Sequence, residues 1–374
     1  MSGRDDDSDY VLDGRPMMNI EPDSDYDEVT SQYDECYASG SDATGTLFSE
    51  VTNYKFEHGR RYHAYAEGLY WGPNDDKQNT QLEIFHHIFL MILEGKLFLS
   101  PIEQPKHVLD LGTGTGIWAI EMADQFPEAQ ILGNDLSPVQ PTWIPANCAF
   151  EVDDFTRPWT HPPNTFDLIY ARGLYGCVGD WPQLLGEAYA ALKPGGWFES
   201  VEVATAFSSE ATADKQLLEG SLVKKWCELA VEGSHRAGQP LDVAGKVGGH
   251  LRRSGFQNVH DRVFKIPYGP WPKKEQMKLI GKMMMVNVLE GFEGFSLAIF
   301  TRVLGMTSDE AKEFNEQVLK ELRDQRMNLW VKMVVSYGQK PLDADSPSDQ
   351  DSAYHSGFGS LRTAASSTDL SSPP

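Results

Sequence analysis

Residues 107–116 read His-Val-Leu-Asp-Leu-Gly-Thr-Gly-Thr-Gly, and this stretch decides the fold. Val108 and Leu109 are typical of a buried parallel strand, and the glycines that follow at every second position let backbone approach a ligand without a Cβ between them. Residues 117–123, Ile-Trp-Ala-Ile-Glu-Met-Ala, are apolar at helical spacing. The stretch therefore predicts a strand, a glycine turn and a helix, an arrangement that binds nucleotide-type ligands.

The spacing of the glycines indicates which ligand to expect. A dinucleotide fingerprint has the pattern G-x-G-x-x-G, and its third glycine would fall at Ile117. The chain has G-x-G-x-G instead, with Asp110 two residues before Gly112. This pattern resembles the first motif of the class I S-adenosylmethionine-dependent methyltransferases, and the resemblance implies S-adenosyl-L-methionine as cofactor. The alternatives are an incidental Gly-Thr loop, or a degenerate dinucleotide site and with it a nicotinamide oxidoreductase.

Further acidic residues follow the next two predicted strands. Residues 129–135 form a second strand that ends at Asp135, whose carboxylate can accept both hydroxyls of a ribose. Residues 148–152 form a third strand, followed by Asp153 and Asp154. In the methyltransferases that the first motif resembles, an acid here lies against the adenine amino group, and we assign this role to Asp154, with Asp153 as the alternative. Taken singly, each aspartate could equally belong to a solvated turn or a helix cap.

The alternation of strands and helices continues towards the carboxyl terminus. Residues 166–172 are predicted as a fourth strand, 181–192 as a helix, and 192–203 as a Lys-Pro-Gly-Gly turn into a fifth strand. That turn is a second resemblance to the methyltransferases. The fold class is therefore α/β, a doubly wound, mostly parallel sheet that binds its ligand at the carboxyl ends of the strands, and two further strands described below bring the predicted total to seven.

The regions on either side of these five strands are predicted to be mainly helical. A helix at 80–98 comes before the first strand, and helices at 215–231 and 243–254 come after the fifth. A sixth strand at 256–266 and an antiparallel last strand at 328–338 enclose a helical run at 273–326, which includes a second helix at 308–326. Because some fifty helical residues exceed an ordinary connection, we interpret the excess as an acceptor-binding cap. Its methionines are either an adaptable binding wall or ordinary core packing.

A narrower resemblance comes from the block before the first strand. Together with the motifs above, this block resembles the fungal LaeA-type methyltransferases, over about residues 53–203. The stretches that carry the resemblance are 56–65, 70–76, 108–118, 166–172 and 181–182. Members of that family are associated with secondary metabolism, some as regulators of gene clusters and some as pathway enzymes. The resemblance does not name the methyl acceptor.

Composition and charge divide the chain into tails and a core. Residues 1–50 hold 14 acidic residues against two arginines, and 341–374 are rich in Ser, Asp and Pro, so both are predicted to be disordered. Between them we expect an N-terminal helical cap at 51–100, a cofactor-binding core at 101–265, and the helical insertion with the last strand at 266–340. A solvating role suits the acidic tail better than a docking arm.

The same composition argues against several classes of partner. The net charge is −23 and the basic residues form only isolated pairs, so no basic stripe is present for nucleic acid. No run reaches the roughly 18 apolar residues of a membrane span, and the start of the chain does not resemble a signal peptide. The four cysteines lie far apart, which indicates neither a zinc site nor a disulfide framework. We expect no metal, no nucleic acid and no membrane, and a cytoplasmic or nuclear location.

The candidate site residues lie at the predicted strand ends or in the block before them. The predicted cofactor-binding residues are Asp110, Gly112, Thr113, Gly114, Gly116, Asp135, Leu136, Asp153, Asp154, Phe155, Arg172 and Tyr62. The catalytic candidates are Arg172, Tyr175 and His63, with Arg172 in an orienting or carboxylate-binding role, or else in a structural salt bridge. His86 is a further candidate base, although of the adjacent pair His86 and His87 we expect one to face the core and one to be exposed.

These observations predict an S-adenosylmethionine-dependent methyltransferase that acts on an oxygen or nitrogen atom of a small-molecule acceptor, as the resemblance to fungal secondary metabolism implies. The alternative is a regulator that keeps the pocket but acts through a protein partner.

Overall fold

A computed structural model describes residues 20, 54–63, 71–209 and 212–343. The predicted tails lie outside the described residues, except for residues 341–343 and Ile20, whose side chain is buried in the larger hydrophobic core. Residues 64–70, part of the block that carries the family resemblance, also lie outside the described residues.

Nine strands form two sheets within the described residues. They are β1 (Lys55–Glu57), β2 (Arg60–Tyr62), β3 (His107–Leu111), β4 (Gln130–Asp135), β5 (Cys148–Val152), β6 (Phe166–Arg172), β7 (Leu192–Ser208), β8 (Gln257–Pro267) and β9 (Trp330–Gln339). The helices of the same part of the chain are α1 (Asp76–Ile92), α2 (Ile117–Gln125), α3 (Trp181–Ala191), α4 (Thr212–Glu219), α5 (Leu222–Arg236), α6 (Val247–Arg253), α7 (Glu275–Ala298) and α8 (Ser308–Leu322).

The main sheet has the strand order β5-β4-β3-β6-β7-β9-β8. All pairs from β5 to β7 are parallel, and β9 runs antiparallel to both of its neighbours. The chain leaves β3 towards β4 on one side and returns to β6 on the other, so the strand order reverses at β3. This reversal opens a crevice at the carboxyl ends of β3, β4 and β6, where such sheets bind ligands. The predicted seven-stranded, mostly parallel sheet and its antiparallel last strand are confirmed.

Two apolar layers hold the sheet between its helices. On one face Trp118 of α2 stacks on Tyr170 of β6, with ring centroids 3.9 Å apart and planes within 1° of parallel. The indole nitrogen of Trp118 also donates to the carbonyl of Leu97 at 2.8 Å, so the buried ring keeps a polar partner. The second layer, which includes Leu185 of α3 and Leu251 of α6, covers the other face. Both faces are therefore buried, as a parallel sheet requires.

Several element boundaries differ from the prediction. Helix α1 begins at Asp76 rather than at 80, because Asp75 accepts from the amide of Gln78 and caps it, and it ends at Ile92 rather than at 98. The single helix predicted at 215–231 is two helices, α4 and α5, and Ser221 caps the second by accepting from the amide of Lys224.

Two further differences concern the N-terminal cap and the helix before β8. The predicted helical cap at 51–100 also contains the β1-β2 hairpin, which the sequence did not indicate. The helix predicted at 243–254 is shorter, Val247–Arg253. The domain limits at 100, 265 and 340 stay predictions.

Helix α7 is the central element of the helical insertion. With the π-helical turn Ile299–Val303 that continues it, the segment is long and apolar enough to span a membrane by composition alone. Half of the most apolar stretch of this segment is buried inside the fold, however, and α7 packs on α1, β8 and α8. That packing is typical of the core helix of a folded domain.

Close packing of α7 gives a stability prediction. A Cβ built at Gly281 would stand 1.9 Å from the carbonyl oxygen of Gly269, whose amide also donates to the Gly281 carbonyl at 3.0 Å. Since backbone must move to admit a methyl group, Gly281→Ala is expected to lower the free energy of unfolding by about 1–3 kcal/mol. Denaturant titration measures the change. The matched control is Gly186→Ala in α3, where nothing lies within 4 Å and alanine should be neutral or slightly stabilising; equal losses in both variants would contradict the argument.

Candidate active site

One cavity of about 280 Å³ occupies the crevice at the carboxyl ends of the strands. Its polar half is lined by residues that follow β3, β4, β5 and β6, and its apolar half by side chains from α1, α5, α7 and β7. The predicted site residues at the cavity are Asp110, Gly112, Thr113, Gly114, Asp135, Leu136, Asp154, Phe155, Arg172, Tyr175 and His63. Gly116, Asp153 and Tyr62 do not line it.

The glycine loop shows why glycine is required at three positions. Gly112, Gly114 and Gly116 have φ angles of 63°, 57° and 78°, a region that L-residues with a side chain rarely adopt. A Cβ at Gly114 would meet only Leu82, at 3.4 Å, so bare backbone faces the cavity there. At Gly116 it would stand 2.4 Å from the ring of Phe150. Gly116 therefore makes room for core packing, and our placement of this residue in the cofactor site is not supported by the geometry.

Asp110 is a buried carboxylate at the floor of the cavity. It accepts from the hydroxyl of Thr113 at 2.6 Å. Burial raises the pKa of Asp110 to about 7, while the Thr113 hydrogen bond and the positive charge of Arg172 act in the opposite direction. An acid with such a pKa gains a strong partner when a cation enters the cavity beside it.

Asp135, at the end of β4, is held in place by backbone. One carboxylate oxygen accepts from the amide of Gly114 at 2.9 Å, and the other accepts from the amide of Ser137 at 3.0 Å. Burial raises the pKa of Asp135, although these amide contacts oppose the shift. A carboxylate offers about four acceptor positions, so two remain for a pair of ligand hydroxyls.

Of the two acids after β5, Asp154 lies at the cavity and Asp153 does not. Asp153 accepts from the amide of Asp154 at 2.8 Å, and therefore acts as a turn residue. The Asp154 carboxylate accepts from the amide and hydroxyl of Thr156 and from the guanidinium of Arg157, at 3.0, 2.6 and 3.0 Å. Three of its roughly four acceptor positions are thus in use, which leaves one for a ligand amino group.

Arg172 ends β6 and projects its guanidinium to the cavity. Its Nη1 atom lies 2.9 Å from Nδ1 of His86, and its Cζ atom lies 5.1 Å from the ring centroid of Phe89. His86 is completely buried whereas His87 is exposed, which confirms the expected division of this pair. His86 does not line the cavity, however, so it is not placed to act as a base on an acceptor.

Tyr175 lies at the cavity wall but is a poor base. Burial raises the pKa of its hydroxyl, as does the nearby charge of Glu202. Glu202 is itself buried and accepts from the amides of Leu174 and Tyr175 and from the hydroxyl of Ser200, at 3.2, 3.0 and 3.0 Å. Burial raises the pKa of Glu202 to about 8. This carboxyl fixes the turn that follows β6, a role that no motif in the sequence indicated.

Tyr62 and His63, the two aromatic candidates from the upstream block at residues 56–76, have different positions. His63 lines the cavity. Tyr62 is buried in β2, where Cζ of Arg302 lies 4.9 Å from its ring centroid, so its contacts are those of a core residue. Tyr62 does not line the cavity, so the geometry does not support the cofactor-binding role that we predicted for it.

The upstream block also supplies cavity residues that we had not assigned. The indole nitrogen of Trp71 donates to the carbonyl of Gly176 at 2.9 Å, and the side-chain amide of Asn74 donates to the Ser137 hydroxyl at 3.0 Å. These bonds join the segment before α1 to the loops after β4 and β6. Both residues line the cavity, and the only signal for them in the sequence was the family-specific block itself.

The apolar half of the cavity is a chamber that the helical insertion closes. We define the aromatic chamber as the ring-lined part made by Trp71, Phe85, Phe89, Tyr175, Phe207, Trp226, Phe292 and Phe295. Phe295 stands edge-on to Trp71 with centroids 4.7 Å apart, and Phe292 stacks on Trp226 at 4.5 Å. Gln81 of α1 and Asn287 of α7 exchange hydrogen bonds of 3.1 and 2.9 Å across its rim. Met284 of the insertion lines the chamber and is also part of the core, and Met283 packs against the core, so core packing is shown for both while a role in acceptor binding stays a prediction.

The strand order, the glycine loop and the acids at the strand ends together define a class I methyltransferase, whose methyl donor is S-adenosylmethionine. A family model described as "Methyltransferase domain" matches residues 84–261. Methyltransferase pytC of Aspergillus terreus is 40% identical over 300 residues, covering 79% of this chain and 91% of the relative.

Two other relatives extend the comparison. Probable methyltransferase tdiE of Emericella nidulans is 33% identical, covering 82% of this chain and 95% of the relative. Secondary metabolism regulator laeA of Aspergillus flavus is 30% identical, covering 84% and 85%. The chain belongs to the LaeA-type methyltransferase family.

Proposed function

We propose that this methyltransferase acts on an oxygen or nitrogen atom of a small, largely apolar acceptor made in a fungal secondary pathway. The observation that carries the proposal is that the aromatic chamber and the glycine loop line one cavity. A flat or apolar acceptor would bury its surface against these rings while its nucleophile faces the methyl donor. Relatives named as methyltransferases and as secondary-metabolism regulators support the pathway context.

The residues present fit the cofactor. Bare backbone at Gly114 leaves space that a side chain would fill. Asp135 retains acceptor positions for the ribose hydroxyls, and Asp154 retains one for the adenine amino group. Asp110 and Arg172 supply a negative and a positive partner for the charged amino-acid end. When bound, the cofactor supplies an electrophilic methyl group.

The chain's own contribution to the reaction is mainly orientation. In-line attack on a methyl group needs the nucleophile held about 3 Å away and aligned, and correct placement removes much of the barrier. The aromatic chamber fixes the acceptor, and the buried walls exclude water. Arg172 cannot accept a proton, and Tyr175 has a raised pKa, so of the three catalytic candidates His63 is the one we propose as a base when the acceptor is protonated.

Cofactor affinity should depend on pH through Asp110. Its pKa of about 7 means that the carboxyl is largely protonated at pH 6 and largely ionised at pH 8. Only the ionised form pairs with the ligand's ammonium group, so affinity for S-adenosylhomocysteine should rise about tenfold from pH 6 to pH 8. Isothermal titration calorimetry across this range measures it. Asp110→Asn should bind more weakly and lose most of the slope; a flat wild-type profile, or an unchanged slope in the variant, would contradict the assignment.

The acceptor is sought by deleting the gene and comparing metabolites by mass. The proposal expects one or more compounds to be lost and replaced by species lighter by one methylene group. Adding purified protein and labelled S-adenosylmethionine to an extract of the deletion strain should restore the heavier compound. A metabolite profile that is unchanged under conditions where the gene is expressed would argue against a pathway enzyme.

The second candidate is a regulator that keeps the cofactor site and acts through a protein partner. Several relatives at 30 to 34% identity carry the name of secondary-metabolism regulator, and this favours the idea. Deleting residues 1–45 separates the two functions: an enzyme should keep its turnover, whereas a regulator that docks through its acidic tail should lose its complex. We propose a cytoplasmic or nuclear location for either function, which a fluorescent fusion would test.

A further inference from the structure

A buried histidine outside the cavity contacts the cavity's cation. Among the described residues that line the cavity, Arg172 is the one Arg or Lys. Its guanidinium reaches Nδ1 of His86 at 2.9 Å, and on the other side of the imidazole Nε2 lies 3.1 Å from a carboxylate oxygen of Glu121. His86 belongs to α1 and Glu121 to α2, so two helices meet at the imidazole.

The protonation state of this histidine follows from its neighbours. A guanidinium can only donate hydrogen bonds, so Nδ1 of His86 must accept and carries no proton. The proton of the neutral ring therefore sits on Nε2, which faces the carboxylate of Glu121. Burial lowers the pKa of His86 to about 3, and the positive charges of Arg172 and His87 act in the same direction. The imidazole is thus neutral throughout the physiological range.

A neutral partner leaves the charge of Arg172 available. In the part of the chain that the structure describes, the side-chain contacts of Arg172 are with neutral groups, namely His86, the hydroxyl of Tyr170 in β6 and the ring of Phe89 in α1, rather than with a paired carboxylate. The hydrogen bonds to His86 and Tyr170 orient the guanidinium, and the remaining N–H groups among its five can make a bidentate contact with a carboxylate. Asp110, close enough for Arg172 to influence its pKa, offers the opposite charge.

We propose that His86 is a positioning residue: as a neutral hydrogen-bond acceptor it holds Arg172 so that the guanidinium binds a carboxylate of the ligand. This inference deepens the proposed function and rests on it. The carboxylate has two possible sources, the amino-acid end of the cofactor or an acid group on the acceptor. The carboxylate of Glu121 lies near the far side of the imidazole, 3.1 Å from Nε2.

The test compares variants at one position with two probes. The probes are S-adenosylhomocysteine and its decarboxylated counterpart, titrated calorimetrically into the purified full-length protein. His86→Leu fills the space without an acceptor, His86→Gln retains a carbonyl oxygen that can accept from Arg172, and His87→Gln is the matched control on the exposed neighbour. Wild-type protein that fails to bind S-adenosylhomocysteine would refute the proposed function itself, separately from this inference.

If the cofactor is the source of the carboxylate, wild-type protein should bind the carboxylated probe more tightly than the decarboxylated one. His86→Leu should lower this ratio of affinities about tenfold and leave the affinity for the decarboxylated probe unchanged. His86→Gln should recover most of the loss. If the acceptor is the source, cofactor affinity stays and the KM for the acceptor rises about tenfold with kcat little changed. In the Arg172→Leu background, His86→Leu should have no further effect in either case.

The inference is overturned if His86→Leu leaves both the preference for the carboxylated probe and the KM for the acceptor within twofold of wild type. It is also overturned if the effect of His86→Leu persists unchanged in the Arg172→Leu background. A loss that His86→Gln does not recover would also overturn it, since that result indicates a packing role. Should His86→Leu fail to fold, His86→Met serves in its place, because a thioether is only a weak acceptor.

Discussion

Gly114→Asp is expected to weaken S-adenosylhomocysteine binding by at least about 100-fold. A side chain at this position points into the cavity, where only Leu82 lies near the added Cβ. The new carboxylate would enter a space that already holds Asp110 and Asp135, and would also fill the room needed by the ligand. An unpaired charge in a buried site costs several kcal/mol, which corresponds to a loss of this size or more. Calorimetric titration measures the affinity.

The control for this substitution matches its backbone strain. Gly95, in the turn after α1, also has a positive φ, 79°, and nothing lies within 4 Å of its Cβ position. Gly95→Asp should therefore share the conformational penalty but keep the affinity of the wild-type protein. Near-normal binding by Gly114→Asp, or an equal loss in the two variants, would show that the glycine loop is not the ligand cradle.

Asp135→Ala is expected to weaken the binding of the same ligand by at least about 100-fold. The substitution removes the acceptor that we propose for two ribose hydroxyls, and charge-assisted hydrogen bonds contribute about 1.5–3 kcal/mol each. It also leaves the amides of Gly114 and Ser137 without their acceptor, so the loop becomes less ordered. Titration of S-adenosylhomocysteine and of its 2′-deoxyribose analogue measures the two contributions: the variant should no longer distinguish the analogue from the parent compound.

The matched acid is Asp124, which is exposed on α2 away from the cavity. Asp124→Ala should bind as the wild-type protein does. If Asp135→Ala still discriminates between ribose and deoxyribose, the hydroxyls have another partner and the role assigned to Asp135 is wrong.

Local patterns predicted the central strands well. The third and fourth predicted strands, residues 148–152 and 166–172, agree with β5 and β6 residue by residue. Strands of this kind are short apolar runs bounded by polar or glycine residues, so the residues on either side of a run predict where the strand begins and ends. Because parallel strands end at a common edge, the positions of Asp110, Asp135 and Arg172 at one crevice followed from the strand limits alone.

Contacts between distant segments were not predictable in this way. Gly116 and Gly114 have the same residue type and similar backbone angles, and only the packing of Phe150 shows that Gly116 serves the core. The break between α4 and α5 depends on the cap that Ser221 provides, which helical periodicity does not reveal. Trp71 meets Gly176 across more than a hundred residues. No local rule connects such positions, so the closure of the cavity became visible only in the structure.

We propose that one cavity of this protein accepts an adenosyl cofactor together with its charged amino-acid end. Titration of S-adenosylhomocysteine into the wild-type protein, with NAD in a parallel experiment, tests this most directly. We predict saturable binding of one S-adenosylhomocysteine per chain and no binding of NAD. The absence of S-adenosylhomocysteine binding by the folded protein, or saturable binding of NAD in its place, would contradict the account.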